Sequence, residues 1–163
     1  MLIIKWFVIV VVLLVVVAIA AGELGLLQGT PPTDLGVRDG KLKPPSMTEN
    51  SVTSQAALYP DHPQRKYADI APLPVKGDGP ATLAKIKAIV EGMDGAEVVK
   101  SEPDYLYAQF TTKLMKFVDD VEFWYDPAAK VIQVRSASRV GRGDLGVNRK
   151  RIEAVRSALE ATK

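Results

Sequence analysis

The densest polar stretches of the chain lie in two short runs. Asp119, Asp120 and Glu122 fall within Phe117-Val118-Asp119-Asp120-Val121-Glu122-Phe123, and Arg135, Ser136 and Arg139 within Val134-Arg135-Ser136-Ala137-Ser138-Arg139. Paired carboxylates could do acid–base work. Neither a candidate nucleophile nor a metal cluster accompanies them. The chain has no cysteine, which excludes thiol nucleophiles, disulfides, iron–sulfur clusters and cysteine-based zinc sites. The one histidine, His62, sits in Asp61-His62-Pro63 with no second ligand type beside it and reads as a surface-loop residue. The six residues are therefore expected to form a structural ion-pair network, with no catalytic residue, no metal and no cofactor. Three aromatic residues, Tyr105, Tyr107 and Trp124, could line a pocket for an apolar ligand or pack against the 50–73 segment.

Strand periodicity must position these side chains. Alternation predicts strands over 96–102, 105–112, 117–125 and 130–136. A turn at Asp126-Pro127-Ala128-Ala129 joins the last two. Pairing Tyr125 with Lys130 sets Phe123 opposite Ile132 and Val121 opposite Val134 on an apolar face. Glu122 then faces Gln133, and Asp120 faces Arg135, on the other side. Running the preceding strand back places Ala108 beside Val121 and Leu106 beside Phe123. A one-residue slip would destroy this agreement. Asp119 alternates with Val121 and Phe123, so it points inward and needs a partner, with Ser136 opposite and Arg139 just beyond. On this register Val121→Asp should unfold the domain and Glu122→Lys should not.

Two helices complete the pattern. Leu83, Ile86, Ile89, Val90 and Met93 form one apolar stripe, with Pro80 in the first turn and a stop near Gly92 or Gly95. Ile152, Val155 and Leu159 form another, from Asn148 as N-cap, with Arg149–Glu153 and Arg156–Glu160 pairs on its wet side. The expected fold is α+β: an N-terminal transmembrane helix, then a two-layer domain. The domain has an antiparallel sheet of about four strands and two helices packed on one face.

The first 27 residues read as a transmembrane signal-anchor. The run LIIKWFVIVVVLLVVVAIAA carries one charge, Lys5, and the first charge after it is Glu23. The positive-inside rule then keeps the N-terminus cytoplasmic and sends the domain, with Lys163, to the periplasmic side of the inner membrane. Ala18-Ile19-Ala20 keeps cleavage and secretion as the alternative. Nine of the 11 prolines fall between Pro31 and Pro80. Residues 28–49 are expected to be a Pro-rich tether and residues 50–163 the domain, with 50–76 lying over it as extended chain.

Charge limits the partners. Removing Lys5 from the 21 lysines and arginines leaves 20 bases against 19 acids, too near neutrality to suggest nucleic acid. Acids gather between Asp94 and Asp126, and bases between Arg139 and Lys163. This segregation is expected to pair an acidic sheet with a basic final helix. Membrane lipid around the first helix and an envelope protein are the expected partners.

Both polar runs, followed by Val140-Gly141, and the later Asp144-Leu145-Gly146-Val147-Asn148-Arg149-Lys150-Arg151, resemble the signature of domain-of-unknown-function family 1499. The likeness runs from about residue 32 to the C-terminus. The family occurs in bacterial and plastid proteins and implies no catalytic mechanism. Members often carry two cysteines where this chain has Pro45 and Ser51, so the loop here is free of any thiol role. The reading favoured by these features is a non-catalytic, membrane-anchored interaction or structural module of the envelope. A carrier for a lipid or other apolar ligand, held between sheet and helix, is the second. A hydrolase is the third and least supported.

Overall fold

The computed structural model describes residues 1–162, so Lys163 and its expected side of the membrane lie outside the described residues. Helix α1 (Leu2–Glu23) is long and apolar enough to cross a membrane, a property that anchors and signal sequences share. Then follow β1 (Ser51–Thr53), a 3₁₀ turn (Ala56–Leu58), α2 (Arg65–Ala68) and β2 (Leu73–Pro74). The rest is α3 (Gly79–Glu91), β3 (Ala96–Ser101), β4 (Tyr105–Thr111), β5 (Val118–Asp126), β6 (Val131–Ser138) and α4 (Val147–Ala161).

The sheet has six strands rather than four, in the order β1-β6-β5-β4-β3, with β2 also on β6. The two additional strands come from the 50–76 segment. Its short extended pieces pair antiparallel with β6, satisfying backbone groups that an open edge would leave free. Helices α3 and α4 pack on one face, as the two stripes require. Leu83, Ile86 and Val90 of α3 and Ile152, Val155 and Leu159 of α4 join Leu106, Val121, Phe123 and Val134 in one core.

The β4–β5 register is the expected one, with Ala108 beside Val121 and Leu106 beside Phe123. The β5–β6 register slides by two residues from the expected one. Phe123 faces Val134, Glu122 faces Arg135, and Val121 faces Ser136. The turn decides this. Asp126 Oδ1 accepts the N–H groups of Ala128 and Ala129 at 3.0 Å each, and Lys130 adopts φ 55°. Pairing therefore closes at Asp126–Val131. A two-residue slide keeps every side chain on its face, so alternation cannot detect it.

Helix α3 begins as expected, with Asp78 accepting the Ala81 N–H at 2.7 Å. Helix α4 does not use Asn148 as its cap. Asp144 instead accepts the N–H groups of Gly146 and Asn148, at 2.9 and 3.1 Å. Asn148 thus becomes a fully buried residue of the first turn. The expected wet-side pairs are also replaced. Arg149 donates to the Tyr67 carbonyl at 2.6 Å, and Arg156 to those of Ala71 and Pro72 at 2.6 and 2.7 Å. Carbonyls of the irregular 65–74 segment need donors, and these arginines supply them.

The stretch expected as a tether is packed over the sheet face opposite the helices, here the outer face. Leu42 is 2% exposed and clusters with Tyr105 and Trp124, with Tyr107 against them. Asp34 pairs with Lys43 at 2.6 Å, and the Leu42 N–H reaches Gln55 Oε1 at 2.8 Å. Prolines deny this segment a ladder of its own, so its remaining polar groups bond to the sheet.

Candidate functional site

The sequence motifs divide between the two faces of the sheet. On the helix side, the partner of Asp119 is Arg151 of α4, whose Nη2 donates to Asp119 Oδ2 at 2.6 Å. Ser136 shares this arginine with Asp119, as the expected grouping had it, whereas Arg139 does not join them and pairs with Asp120 instead. Arg151 Nη1 also donates to Ser136 Oγ at 3.0 Å and to Asn148 Oδ1 at 2.8 Å. Its guanidinium lies 4.5 Å from the centre of the Phe110 ring. Asn148 Nδ2 donates onward to Asp144 Oδ2 at 2.8 Å, Ser138 Oγ at 3.0 Å and the Asn50 carbonyl at 3.2 Å. Tyr67 donates a short hydrogen bond to Asp144. Burial pushes the Tyr67 hydroxyl up to about 12, reinforced by that carboxylate. No fully buried side-chain donor or acceptor of this cluster lacks a partner among the described residues, as in a structural staple.

Arg139 lies on the outer face, where it grips Asp120. Its Nη2 and Nε donate to the two Asp120 oxygens at 2.7 and 2.9 Å. Tyr107 donates to Asp120 Oδ1 at 2.6 Å. The hydrogen bond to Asp120 raises the Arg139 pKa above its ordinary value. Next along β5, Glu122 is fully buried, its Oε1 accepting from the Gly36 N–H and the Tyr105 hydroxyl at 2.8 Å each. Burial drives the Tyr105 hydroxyl far above its usual range, with the charge of Glu122 adding to it.

This second cluster is incompletely satisfied. Glu122 Oε2 is buried without a hydrogen-bond partner among the described residues. Arg135 Nη1 stands 3.8 Å from it, too far to donate. Arg135 is 4% exposed, and its one hydrogen bond among the described residues runs from Nε to the Pro44 carbonyl at 3.3 Å. Its terminal nitrogens, the strongest part of a guanidinium for recognising anions, donate no hydrogen bond among the described residues. Arg135 lines a groove of about 510 Å³ with Arg139, Asp120, Lys43, Ser46 and a wall of prolines from the 30–45 segment. The groove adjoins an unsatisfied buried charge. Sequence alternation places Arg135 on the outer face, but only the packed 34–46 segment buries it and builds the opposite wall.

The sequence-predicted aromatics do not lie between sheet and helices, where apolar side chains pack together. Tyr105, Tyr107 and Trp124 lie on the other face, under Leu42, and the two tyrosines hold Glu122 and Asp120.

Residues 41–159 match the model of a protein family described as "Protein of unknown function (DUF1499)". The chain belongs to this family. The DUF1499 match begins at Lys41, so it takes in Leu42 and Pro44, which the sequence alone had assigned to a tether. No curated protein and no solved structure matched the chain. What the DUF1499 domain can do must be argued from its own geometry.

Titration offers one check on that geometry. Burial raises the Glu122 pKa above the ordinary 4.5, opposed by the Gly36 N–H, Arg135 and Tyr105. A carboxyl whose folded value exceeds its unfolded value binds its proton more tightly when folded. The stability this confers is complete below the unfolded value and is lost as pH rises through the folded value. Wild type should therefore lose stability relative to Glu122→Gln as pH increases through the interval above about 4.5. Urea unfolding of both proteins across that interval measures it. A difference that stays flat or grows with pH would show that Arg135 governs the carboxylate.

Proposed function

We propose that the chain is a membrane-anchored, non-catalytic interaction module of the cell envelope, which holds an anionic group of a partner in the outer-face groove. The observation that carries this reading is Arg135, a buried guanidinium that lines the groove, pairs only loosely with Glu122 at 3.8 Å, and makes no hydrogen bond from its terminal nitrogens among the described residues. Burying a charge without full pairing costs stability, typically about 1–3 kcal/mol for one unsatisfied group and more when it is charged. A carboxylate or phosphate entering the groove would offer the bidentate acceptor that a guanidinium fits. Helix α1 remains in the inner membrane with its N-terminus cytoplasmic, on the asymmetry of Lys5 and Glu23, and the domain lies on the periplasmic side. A non-enzymatic role is supported by the state of the carboxylates. Asp119 and Asp120 are each tied to a buried guanidinium at 2.6 and 2.7 Å, an arrangement that holds structure together.

Native mass spectrometry of the full-length chain, extracted from its membrane in mild detergent, tests this reading. Wild type should retain an acidic partner or ligand that Arg135→Gln loses. Ser46→Trp, which fills the groove without removing a buried charge, should lose it too while melting like wild type. If wild type retains nothing, or if Ser46→Trp retains the ligand fully, the groove is not the binding surface.

A further inference from the structure

One end of the domain carries large apolar side chains that the fold leaves uncovered. Leu114, in the β4–β5 turn, is 64% exposed, and Leu145, in the loop before α4, is 94% exposed. Val147 is exposed beside Leu145, and half-buried Phe117 and Val140 join both around a groove of about 440 Å³. Single exposed leucines are ordinary on protein surfaces. Leu145 is not ordinary, because its backbone is strained. Its φ of 51° is left-handed, where Cβ crowds the following carbonyl. The loop is also braced. Asp144 accepts the Gly146 and Asn148 N–H groups at 2.9 and 3.1 Å, and Asn148 Nδ2 ties it to the staple at 2.8 Å. The fold thus holds a leucine outward on a rigid loop without burying it.

Helix α1 ends against this same end of the domain. Gly22 is its one buried residue, and a Cβ there would lie 2.7 Å from the Met115 carbonyl oxygen. Glu23 pairs with Lys116 at 3.2 Å. Gly29 passes close to Arg139 and Val140, where a Cβ would come within 2.7 and 2.8 Å. A larger side chain at either glycine would push the chain leaving the helix off the domain. The 22 residues of α1 rise through about 33 Å, close to the ~30 Å hydrocarbon thickness of a bilayer. With α1 spanning, Gly22 marks the outer edge of the hydrocarbon. The turn touching it then lies among the headgroups. Exposed Lys113 and Arg142 lie in the same turn and loop as Leu114 and Leu145, and exposed Lys150 follows in the first turn of α4, where their charges would meet lipid phosphates.

We propose that this end of the domain, the turn at 112–117 and the loop at 140–147, rests on the phospholipid surface of the bilayer holding α1. Leu114 and Leu145 insert into the interface. This inference rests on the reading of α1 as an anchor, and it fixes which way the domain faces: the β5–β6 turn points away from the membrane.

The absence of cysteine allows single, dye-labelled cysteines in the full-length chain. Reconstituted into phosphatidylglycerol–phosphatidylcholine vesicles, dyes at Leu114→Cys and Leu145→Cys should be quenched severalfold more strongly by shallow nitroxide lipids than a dye at Ala129→Cys. Ala129 is exposed in the β5–β6 turn, at the far end of the sheet. A dye at Leu13→Cys, in α1, should be quenched best by nitroxides deep in the acyl chains. If Leu13 is deep while Leu114 and Leu145 behave like Ala129, the docking is refuted and the anchor stands. If the dye at Leu13 is itself unquenched, the anchor reading fails and the docking with it.

Discussion

Removing either member of the Asp119–Arg151 pair is expected to destabilise the domain by about 3–5 kcal/mol, because each leaves an uncompensated buried charge. The side chains are 5% and 8% exposed and 2.6 Å apart. Asp119→Ala would strand a guanidinium beneath the sheet, in contact with Ser136 and Asn148. Arg151→Ala would strand the carboxylate and also loosen Ser136 and Asn148, which anchor the loop before α4. Against a total stability of roughly 5–15 kcal/mol, either loss is severe. The double variant should be less damaged than the sum of the two singles, since it removes both charges together. Urea unfolding followed by near-ultraviolet circular dichroism measures all three. If Asp119→Ala unfolds at the wild-type midpoint while a cellular phenotype is lost, the pair is functional rather than structural.

Glu122→Lys gives the second large effect, and here the structure reverses the expectation from the sequence. Alternation places Glu122 on the face away from the core, where a lysine should be harmless. Glu122 is instead fully buried, with Arg135 Nη1 at 3.8 Å. Lysine there would set one buried cation against another and leave the Gly36 N–H and Tyr105 hydroxyl without their acceptor. A cost of about 3–5 kcal/mol is expected, on the scale of breaking a buried ion pair. That would bring it close to Val121→Asp, which puts an unpaired charge among Leu106, Phe123 and Val134. Both variants should lose the cooperative thermal transition. If Val121→Asp unfolds while Glu122→Lys melts like wild type, the outer face is open and residues 34–46 do not cover it.

Much of the architecture was legible because it depends on local periodicity. The stripes of α3 and α4, the four long strands and the β4–β5 register follow from which side chains must share a face. The chemistry of the motifs was legible only by type. Asp119 was known to need a buried partner, and segregated charge pointed to the basic final helix. Arg151 as that partner was not legible, because Arg139 stands nearer in the strand pattern. Its actual place on the opposite face depends on how the chain leaves β6.

By itself, the sequence determined an apolar N-terminal helix, an α+β domain and the inward or outward side of the paired residues in β4, β5 and β6. It did so because hydrophobic period is a property of consecutive residues. The tertiary structure alone decided three things. The β5–β6 register follows from a turn whose two candidate closures preserve every face. Capping by Asp144, which releases Asn148 inward, depends on a loop whose left-handed residues no period reveals. The burial of Glu122 and Arg135 depends on a segment some 80–90 residues earlier, which donates Gly36 N–H to the one and offers the Pro44 carbonyl to the other. Proline-rich chain has no ladder of its own to announce its path. Its unpaired backbone groups take partners that only folding brings within reach.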